Sequence, residues 1–260
     1  MKNFLPVYGP VKSWRYGNSL GIDPIGMVST CSFNCVYCQL GKIERSSLDR
    51  QNFVSTAEIV DLVKQKSTEK FDVITISGSG EPTLAINLGE IIRSVKQITK
   101  TPVIVLTNGS LLGLASVQSD LLLADEVSVK LDGITTDRVD RVNRPNFRWN
   151  WEQFADSFFH LRHLFRGRMT IQTMLLSRWN HNERQAYING LNQIRPDRVY
   201  LNIPCRPKPK LRLLQGRENL TESKEANWFK PLEMDYLEAF AQEIRDQSGL
   251  AVSFVMVHEQ

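Results

Sequence analysis

Short apolar runs alternate with helical patterns along this chain, and the alternation limits the folds open to it more than any other feature. Six runs have the composition of strands: Ser19–Ile25, Phe71–Ser77, Pro102–Thr107, Glu126–Leu131, Met169–Leu175 and Arg198–Ile203. The middle runs are almost continuously apolar, which is typical of strands buried on both faces of a sheet. Strands that alternate with helices predict an α/β fold with a parallel sheet, either open or curled into a full or partial barrel.

The alternation stops after the sixth run. Residues 205 to about 231 contain several prolines and are basic at their start, and a last helical pattern and the run "AVSFVMV" (Ala251–Val257) follow them. Irregular segments of this length are often functional. We therefore predict a core domain of residues 1–204 and a C-terminal extension of residues 205–260, made of a basic irregular segment, a helix and a final strand.

The bulk composition is that of an ordinary globular protein, with 42% hydrophobic and 23% charged residues in 260. No apolar run is long enough to span a membrane, and the N-terminus has no apolar leader. Closely spaced thiols without an export signal are typical of a reducing compartment, so we expect a cytoplasmic protein. The net charge of +4 permits an anionic partner without requiring one.

Three of the four cysteines, Cys31, Cys35 and Cys38, fall within eight positions, with C-x3-C-x2-C spacing. Thiolates at this spacing can converge on one centre, and they select zinc or an iron–sulfur cluster. Zinc needs a fourth ligand, and since no histidine lies near, that ligand would have to be the distant Cys205. A four-iron cube held by three cysteines keeps one iron open, as a catalytic metal site requires. The spacing favours this cube, and a zinc loop is the alternative.

Two motifs give the chain a family resemblance. "CSFNCVYC" resembles the CxxxCx-aromatic-C signature of the radical S-adenosylmethionine (SAM) superfamily, with Tyr37 as the aromatic residue. "SGSGEPTL" (Ser77–Leu84) resembles its Gly-Gly-Glu-Pro motif, with Ser79 in place of the first glycine. The resemblance covers about Gly17 to Ile203. "GPVKSWRYGNSLGIDP", "YCQLG" and "KLDG…VNRP" are similar to the wyosine-type branch, Fe–S oxidoreductases related to tRNA wyosine synthases.

The resemblance implies a partial parallel (β/α)6 barrel with a C-terminal helix–strand extension. It also implies an enzyme in which Cys31, Cys35 and Cys38 hold a [4Fe–4S] cluster and the open iron binds SAM. Such enzymes take an electron from a flavodoxin- or ferredoxin-like donor and cleave SAM to a 5′-deoxyadenosyl radical, which abstracts hydrogen from a substrate. A nucleic-acid base, and so an RNA partner, is one candidate substrate.

The resemblance, together with positions at strand ends, gives the candidate cofactor-binding residues: Tyr37, Ser79, Gly80, Glu81, Pro82, Thr107, Asn108, Lys130, Asp132, Arg144, Gln172 and Asn202. Glu81 is expected to meet the methionine amino group, and Lys130 or Arg144 its carboxylate. The alternative interpretations are turns at the two glycine-containing segments, a surface ion pair at the two cations, and satisfied core polar groups at Gln172 and Asn202.

Other features leave alternatives open. Wyosine synthases hold a second cluster on three further cysteines nearer the N-terminus; this chain has no cysteine before Cys31, so it cannot hold a second cluster in that way. Cys205 is a candidate hydrogen-atom donor or substrate ligand, or a buried free thiol. Five cations, Arg206, Lys208, Lys210, Arg212 and Arg217, form either a solvated loop or a seat for RNA phosphates.

Two other functions compete with the main interpretation. An activase that installs a glycyl radical on a partner protein would share the barrel and the Gly-Glu-Pro motif. A non-catalytic iron–sulfur or zinc protein would share only the cysteines.

Overall fold

The computed structural model describes residues 4–218 and 225–256. Its strands are β1 (Val7–Ser13), β2 (Gly17–Ile22), β3 (Thr30–Cys31), β4 (Arg45–Ser46), β5 (Val73–Ile76), β6 (Val103–Thr107), β7 (Glu126–Lys130), β8 (Arg168–Met174), β9 (Arg198–Asn202), β10 (Lys208–Pro209), β11 (Ala226–Asn227) and β12 (Val252–Phe254). Its α-helices are α1 (Thr56–Lys66), α2 (Leu88–Ile98), α3 (Ala115–Leu121), α4 (Thr136–Val142), α5 (Trp151–Leu164), α6 (His181–Ile194) and α7 (Met234–Ser248). Two 3₁₀ helices cover Pro82–Leu84 and Leu214–Glu218.

Eight of the strands form one curled sheet in the order β1-β2-β5-β6-β7-β8-β9-β12, a half-barrel with helices. Strands β2 to β9 of this sheet and β12 pair in parallel, and only β1 is antiparallel to its neighbour. This confirms the predicted partial parallel barrel. Because neighbouring strands are parallel, their carboxyl ends meet at one edge, where the site of such a fold lies.

All six predicted core strands are present, but the sequence patterns missed β1, α3, α4 and the two-residue strands β3, β4, β10 and β11. Strand β1 contains the Gly9–Pro10 step, which argues against a strand except at a sheet edge, and β1 is an edge strand. The two missed helices have seven residues each, too few to establish a helical period. The final strand ends at Phe254, and Val257 of the predicted run lies outside the described residues.

The turn between β1 and β2 enters the barrel. The ring centroids of Trp14 and Tyr16 each lie 5.8 Å from that of Tyr200 on β9, at steep angles. The Tyr16 hydroxyl donates a 2.7 Å hydrogen bond to Oε1 of Glu126, at the start of β7. The turn therefore connects the two sides of the curled sheet across its interior.

The C-terminal helix belongs to the same hydrophobic core as the barrel. Phe240 of α7 packs beside Trp179 and Tyr187, at ring-centroid distances of 5.5 and 6.0 Å. The side chains of Leu237 and Ile244 are fully buried in this core as well. No helix in residues 4–218 or 225–256 combines the length and apolarity needed to cross a membrane.

We expect Phe240→Ala to lower the free energy of unfolding by about 3–5 kcal/mol, because it leaves a cavity among large aromatic rings. Phe240 is 1% exposed, whereas Phe159 on α5 is 52% exposed and is the matched control. Phe159→Ala should change stability by no more than about 0.5 kcal/mol. Denaturant unfolding measures both. Equal effects of the two substitutions would contradict the docking of α7 on the barrel.

Candidate functional site

A cavity of about 470 Å³ lies inside the half-barrel. Its walls include all four cysteines and the following predicted cofactor residues: Tyr37, Gly80, Glu81, Thr107, Asn108, Lys130, Gln172 and Asn202. Four other predicted residues, Ser79, Pro82, Asp132 and Arg144, are not among the lining residues. The structure thus brings together side chains from the ends of five strands and from the cysteine loop, which we define as residues 31–41.

Thr30, the residue directly before the cysteine loop, joins this loop to the Gly-Glu-Pro segment. The Thr30 N–H donates to the Ser79 carbonyl at 3.1 Å, and the Thr30 carbonyl accepts from the Glu81 N–H at 3.0 Å. Between these bonds lies Gly80, where a Cβ would stand 1.7 Å from the Thr30 oxygen. Only glycine allows this approach, so the motif glycine is explained by backbone contact.

Ser79 replaces the usual first glycine of the motif and has a structural partner. It is completely buried, and its N–H and hydroxyl donate to Oδ2 of Asp23 at 2.9 and 2.6 Å. Nη2 of Arg212, from the C-terminal extension, donates to the hydroxyl oxygen of Ser79 at 2.9 Å. Ser79 therefore links the motif to β2 and to the extension from behind the cavity wall.

The Glu81 carboxylate is buried at the cavity wall and holds the turn after β6. Its Oε1 accepts from the hydroxyls of Thr107 and Thr83 at 2.6 and 2.7 Å and from the Thr83 N–H at 3.1 Å. Its Oε2 accepts from the Asn108 N–H at 2.7 Å. Burial raises the pKa of Glu81, and these hydrogen bonds oppose the shift. These bonds place Thr107 and Asn108, two of the predicted cofactor residues, in direct contact with Glu81.

The cysteine sulfurs accept hydrogen bonds from amide groups. Asn108 Nδ2 lies 3.5 Å from Cys31 Sγ, and Asn143 Nδ2 lies 3.4 Å from Cys35 Sγ. Hydrogen bonds to cluster-ligating sulfur tune the reduction potential of an iron–sulfur centre. Sequence reasoning did not single out Asn143, although it lies inside the "VNRP" motif that contributed to the resemblance.

The donor set fits a bound cluster. Burial raises the pKa of all three thiols, that of Cys35 to about 12, so bare thiolates are disfavoured here until a metal charge compensates them. In residues 4–218 and 225–256, no three His, Cys, Asp or Glu side chains converge closely enough to hold a single metal ion. A four-iron cube does not require such convergence, because each of its cysteines binds a different iron.

Asp132 lies behind the cavity wall and organises it. Its Oδ1 accepts from the Met174 N–H at 2.7 Å, and its Oδ2 accepts from Asn143 Nδ2 at 2.6 Å and from the Tyr37 hydroxyl. Lys130 lies in front, with its ammonium 3.8 Å from Asp132 Oδ1 and 5.0 Å from the Tyr37 ring centroid. Of the two cations predicted to meet the methionine carboxylate, Lys130 and Arg144, Lys130 is therefore the one that lines the cavity.

Two other predicted residues, Arg144 and Pro82, do not line the cavity. Arg144 is exposed and adopts a left-handed backbone, with φ of 49°, because the chain turns there between α4 and Pro145. Its carbonyl accepts from the Asn34 N–H at 3.2 Å. Pro82 is buried at the first position of a 3₁₀ helix. Both residues shape the walls from outside the cavity.

Gln172 and Asn202 face the cavity, as the strand register predicted, and they contact the turn between β1 and β2. Gln172 Oε1 accepts from Arg15 Nη1, and Asn202 Oδ1 accepts from Trp14 Nε1 at 3.2 Å. Cys205 also lines the cavity, but the alternative of a buried thiol is wrong, because Cys205 is exposed where the chain leaves β9.

The cations of the irregular segment mainly contact the protein itself. Lys208 Nζ donates to the Cys35 carbonyl at 3.0 Å, and Arg212 Nε lies 3.4 Å from Glu44 Oε2. Arg217 forms a buried ion pair with Asp23 at 2.8 Å. Arg206 donates to Gln39, and Lys210 lies 3.5 Å from Glu225. The segment is thus fastened over the cysteine loop, and these contacts do not form an open row of phosphate-binding cations.

A family model described as the Radical SAM superfamily matches residues 25–189. The chain belongs to this superfamily. Radical SAM proteins use SAM and a [4Fe–4S] cluster in radical chemistry, which agrees with a cavity lined by three clustered cysteines.

The chain is also similar to individual relatives. The chain is 52% identical over 218 residues to a UPF0026 protein of Synechocystis and covers 82% of it. It is 32% identical over 206 residues to a UPF0026 protein of Methanocaldococcus jannaschii and covers 64% of that protein. These matches span 84% and 77% of this radical SAM chain.

Among solved structures, Streptococcus suis SuiB bound to S-adenosylmethionine has a similar fold, with a TM-score of 0.64 and 11% identity. The match covers 89% of this chain and 49% of SuiB, so the chain spans about half the length of that neighbour.

Gly80→Ala should destabilise the protein by about 1–3 kcal/mol, because the added methyl group collides with the Thr30 carbonyl. Gly113→Ala is the control, because its nearest neighbour is the Ser157 hydroxyl at 3.2 Å and no positive φ is involved. Thermal unfolding of the two variants beside the wild type measures the difference. A Gly80→Ala protein as stable as the wild type would contradict the close contact between the two loops.

Proposed function

We propose that this protein is a radical SAM enzyme in which Cys31, Cys35 and Cys38 hold a [4Fe–4S] cluster with one open iron. The observation that carries the proposal is that these thiols share one cavity with the buried Glu81 and with Lys130. When bound, the cluster and SAM supply a 5′-deoxyadenosyl radical that abstracts a hydrogen atom from the substrate. The substrate is unidentified, and a nucleic-acid base is our candidate.

The residues around the thiols support this assignment. Asn108 and Asn143 each donate an amide hydrogen to a cysteine sulfur, which fixes the ligands and favours a more negatively charged sulfur. Lys208, Arg212 and Lys130 lower the pKa of Cys38 against the larger effect of burial. The cavity therefore offers both hydrogen bonds and positive charge to thiolate ligands.

We assign the binding of the SAM methionine group to Glu81 and Lys130. Glu81 Oε2 has one protein donor, the Asn108 N–H, and so retains capacity to accept from an ammonium group. Lys130, held by Asp132 and the Tyr37 ring, supplies the cation for the methionine carboxylate. Gly80, Thr107 and Asn108 shape the same wall, while Gln172 and Asn202 are assigned to the adenosine side. Ser79, Pro82 and Asp132 act as positioning residues.

Within the superfamily we propose an oxidoreductase of the wyosine-related branch. Support comes from the "VNRP" motif, because its Asn143 contacts Cys35 and its Arg144 carbonyl accepts from the cysteine loop. We also propose a flavodoxin- or ferredoxin-like electron donor and, since closely spaced free thiols are typical of a reducing compartment, a cytoplasmic location. The exposed Cys205, at the boundary of the proposed core (1–204) and extension (205–260), remains our candidate for contact with substrate.

Anaerobic reconstitution should load roughly four irons per chain, and Cys38→Ala should abolish both iron binding and SAM cleavage because one corner loses its ligand. Cys205→Ala is the matched control and should keep the iron, since Cys205 lies on a different loop. Iron analysis and assay of 5′-deoxyadenosine by chromatography provide the measurements. One bound zinc per chain would overturn the proposal, and four irons without cleavage would favour an electron carrier.

Glu81→Gln should weaken SAM binding and cleavage about 10–100-fold. The substitution removes the negative charge and replaces one hydrogen-bond-accepting oxygen by an NH2 group. Glu90→Gln is the control, since Glu90 is exposed on α2 and accepts a 2.9 Å hydrogen bond from the Thr56 hydroxyl. Equilibrium binding of SAM to the reconstituted proteins measures the effect. Equal affinities in the two variants would remove Glu81 from the cofactor site.

A further inference from the structure

The turn between β1 and β2 places an arginine inside the cavity. Arg15 lines the cavity, with its guanidinium carbon 5.5 Å from the Tyr16 ring centroid and 6.0 Å from that of Trp14. Both distances are within cation–π range, so the two aromatic rings help to position the guanidinium. Arg15 is thus presented to the interior on a short turn that is fixed at both ends by strands.

The hydrogen bonds of this guanidinium are incomplete. Nη1 donates to Gln172 Oε1, but Nε is buried and has no hydrogen-bond partner among the described residues. Among these residues, Arg15 also makes no ion pair with a carboxylate within 4.0 Å. The carboxylate that acts on it electrostatically, Glu126, already accepts from the Tyr16 hydroxyl and lies 3.0 Å from Arg168.

The described lining of the cavity around Arg15 contains more cationic side chains than carboxylates. Its described walls contain the cations Lys12, Arg15, Lys130, Arg206 and Arg217 but only one carboxylate, that of Glu81. Arg217 is paired with Asp23, and Lys130 lies 3.8 Å from Asp132, which is behind the cavity wall. Burial lowers the pKa of Arg15, so a bound anion would relieve an unfavourable state of this side chain.

We propose that Arg15 binds the substrate, and that this substrate carries an oxyanion, a phosphate or a carboxylate, which the fork of the guanidinium holds. This inference rests on the proposed function, because it assigns the substrate class of that same cavity. A forked oxyanion can accept from Nε and Nη2 together, which would satisfy the buried N–H. Gln172 is the register partner of Lys130, so the anion would be held on the strand next to the one that binds the cofactor carboxylate.

The experiment is a calorimetric titration of the full chain, with reconstituted cluster and saturating SAM, against inorganic phosphate and against acetate. We expect the wild type to bind one of the two anions and Arg15→Gln to bind it at least tenfold more weakly. Arg15→Lys should give an intermediate affinity, because it retains the charge without the fork. Arg141→Gln is the control, since Arg141 is an exposed arginine of α4 paired with Asp137, and it should bind like the wild type.

Preference for phosphate would identify a phosphorylated substrate, and preference for acetate a carboxylate-containing one. Gln172→Glu provides a second route that keeps Arg15: a carboxylate beside the guanidinium should also weaken anion binding at least tenfold. Equal anion binding by the wild type, Arg15→Gln and Gln172→Glu would overturn the proposal. So would anion binding that disappears when SAM is added, because Arg15 would then serve the cofactor carboxylate.

A parallel titration of the chain without a cluster separates the two hypotheses. Arg15-dependent anion binding there, together with no SAM cleavage in the reconstituted protein, would contradict the proposed function and leave the anion site standing. SAM cleavage without any Arg15-dependent anion binding would contradict only the substrate assignment.

Discussion

The contact between Thr30 and Gly80 is the constraint on which the site depends. Each loop is irregular by itself, and the two backbone hydrogen bonds through Thr30 hold them in a fixed relation. Since a side chain at position 80 would overlap the Thr30 carbonyl, the approach of cysteines to Glu81 requires glycine there. The relative placement of metal ligands and the buried carboxylate is thus decided by main-chain geometry and not by side-chain packing.

Buried polar groups then fix the remaining walls. The Asp23 carboxylate accepts a hydrogen bond from Ser79 and forms an ion pair with Arg217. The Asp132 carboxylate accepts hydrogen bonds from Tyr37, Asn143 and the Met174 N–H. A buried carboxylate is costly unless its oxygens are paired, so each of these groups strongly favours one arrangement of its neighbours. The same network explains the location of the C-terminal extension: Arg217 ties it to β2 across the cysteine loop.

Much of the fold and part of the site follow from the sequence. The continuous apolar runs between helical patterns predicted six parallel strands, because burial on both faces removes the polar alternation seen in half-exposed strands. The register also placed Gln172 and Asn202 on the inner face. It could not tell that Asp132 and Arg144 lie outside the cavity lining, since a polar residue after a strand can turn toward the cavity or behind it with no change in the local pattern.

The sequence alone determined the parallel barrel, the three neighbouring thiols and the family, because each depends on local spacing or on the period of a strand or helix. Only the tertiary structure decided that Arg15 enters the barrel, that Asn143 contacts Cys35 and that the basic segment closes over the cysteine loop. These three contacts join residues far apart in the chain. They depend on the curvature of the sheet and on the pairing of buried charges, and neither of these can be derived from the pattern of residues along the chain.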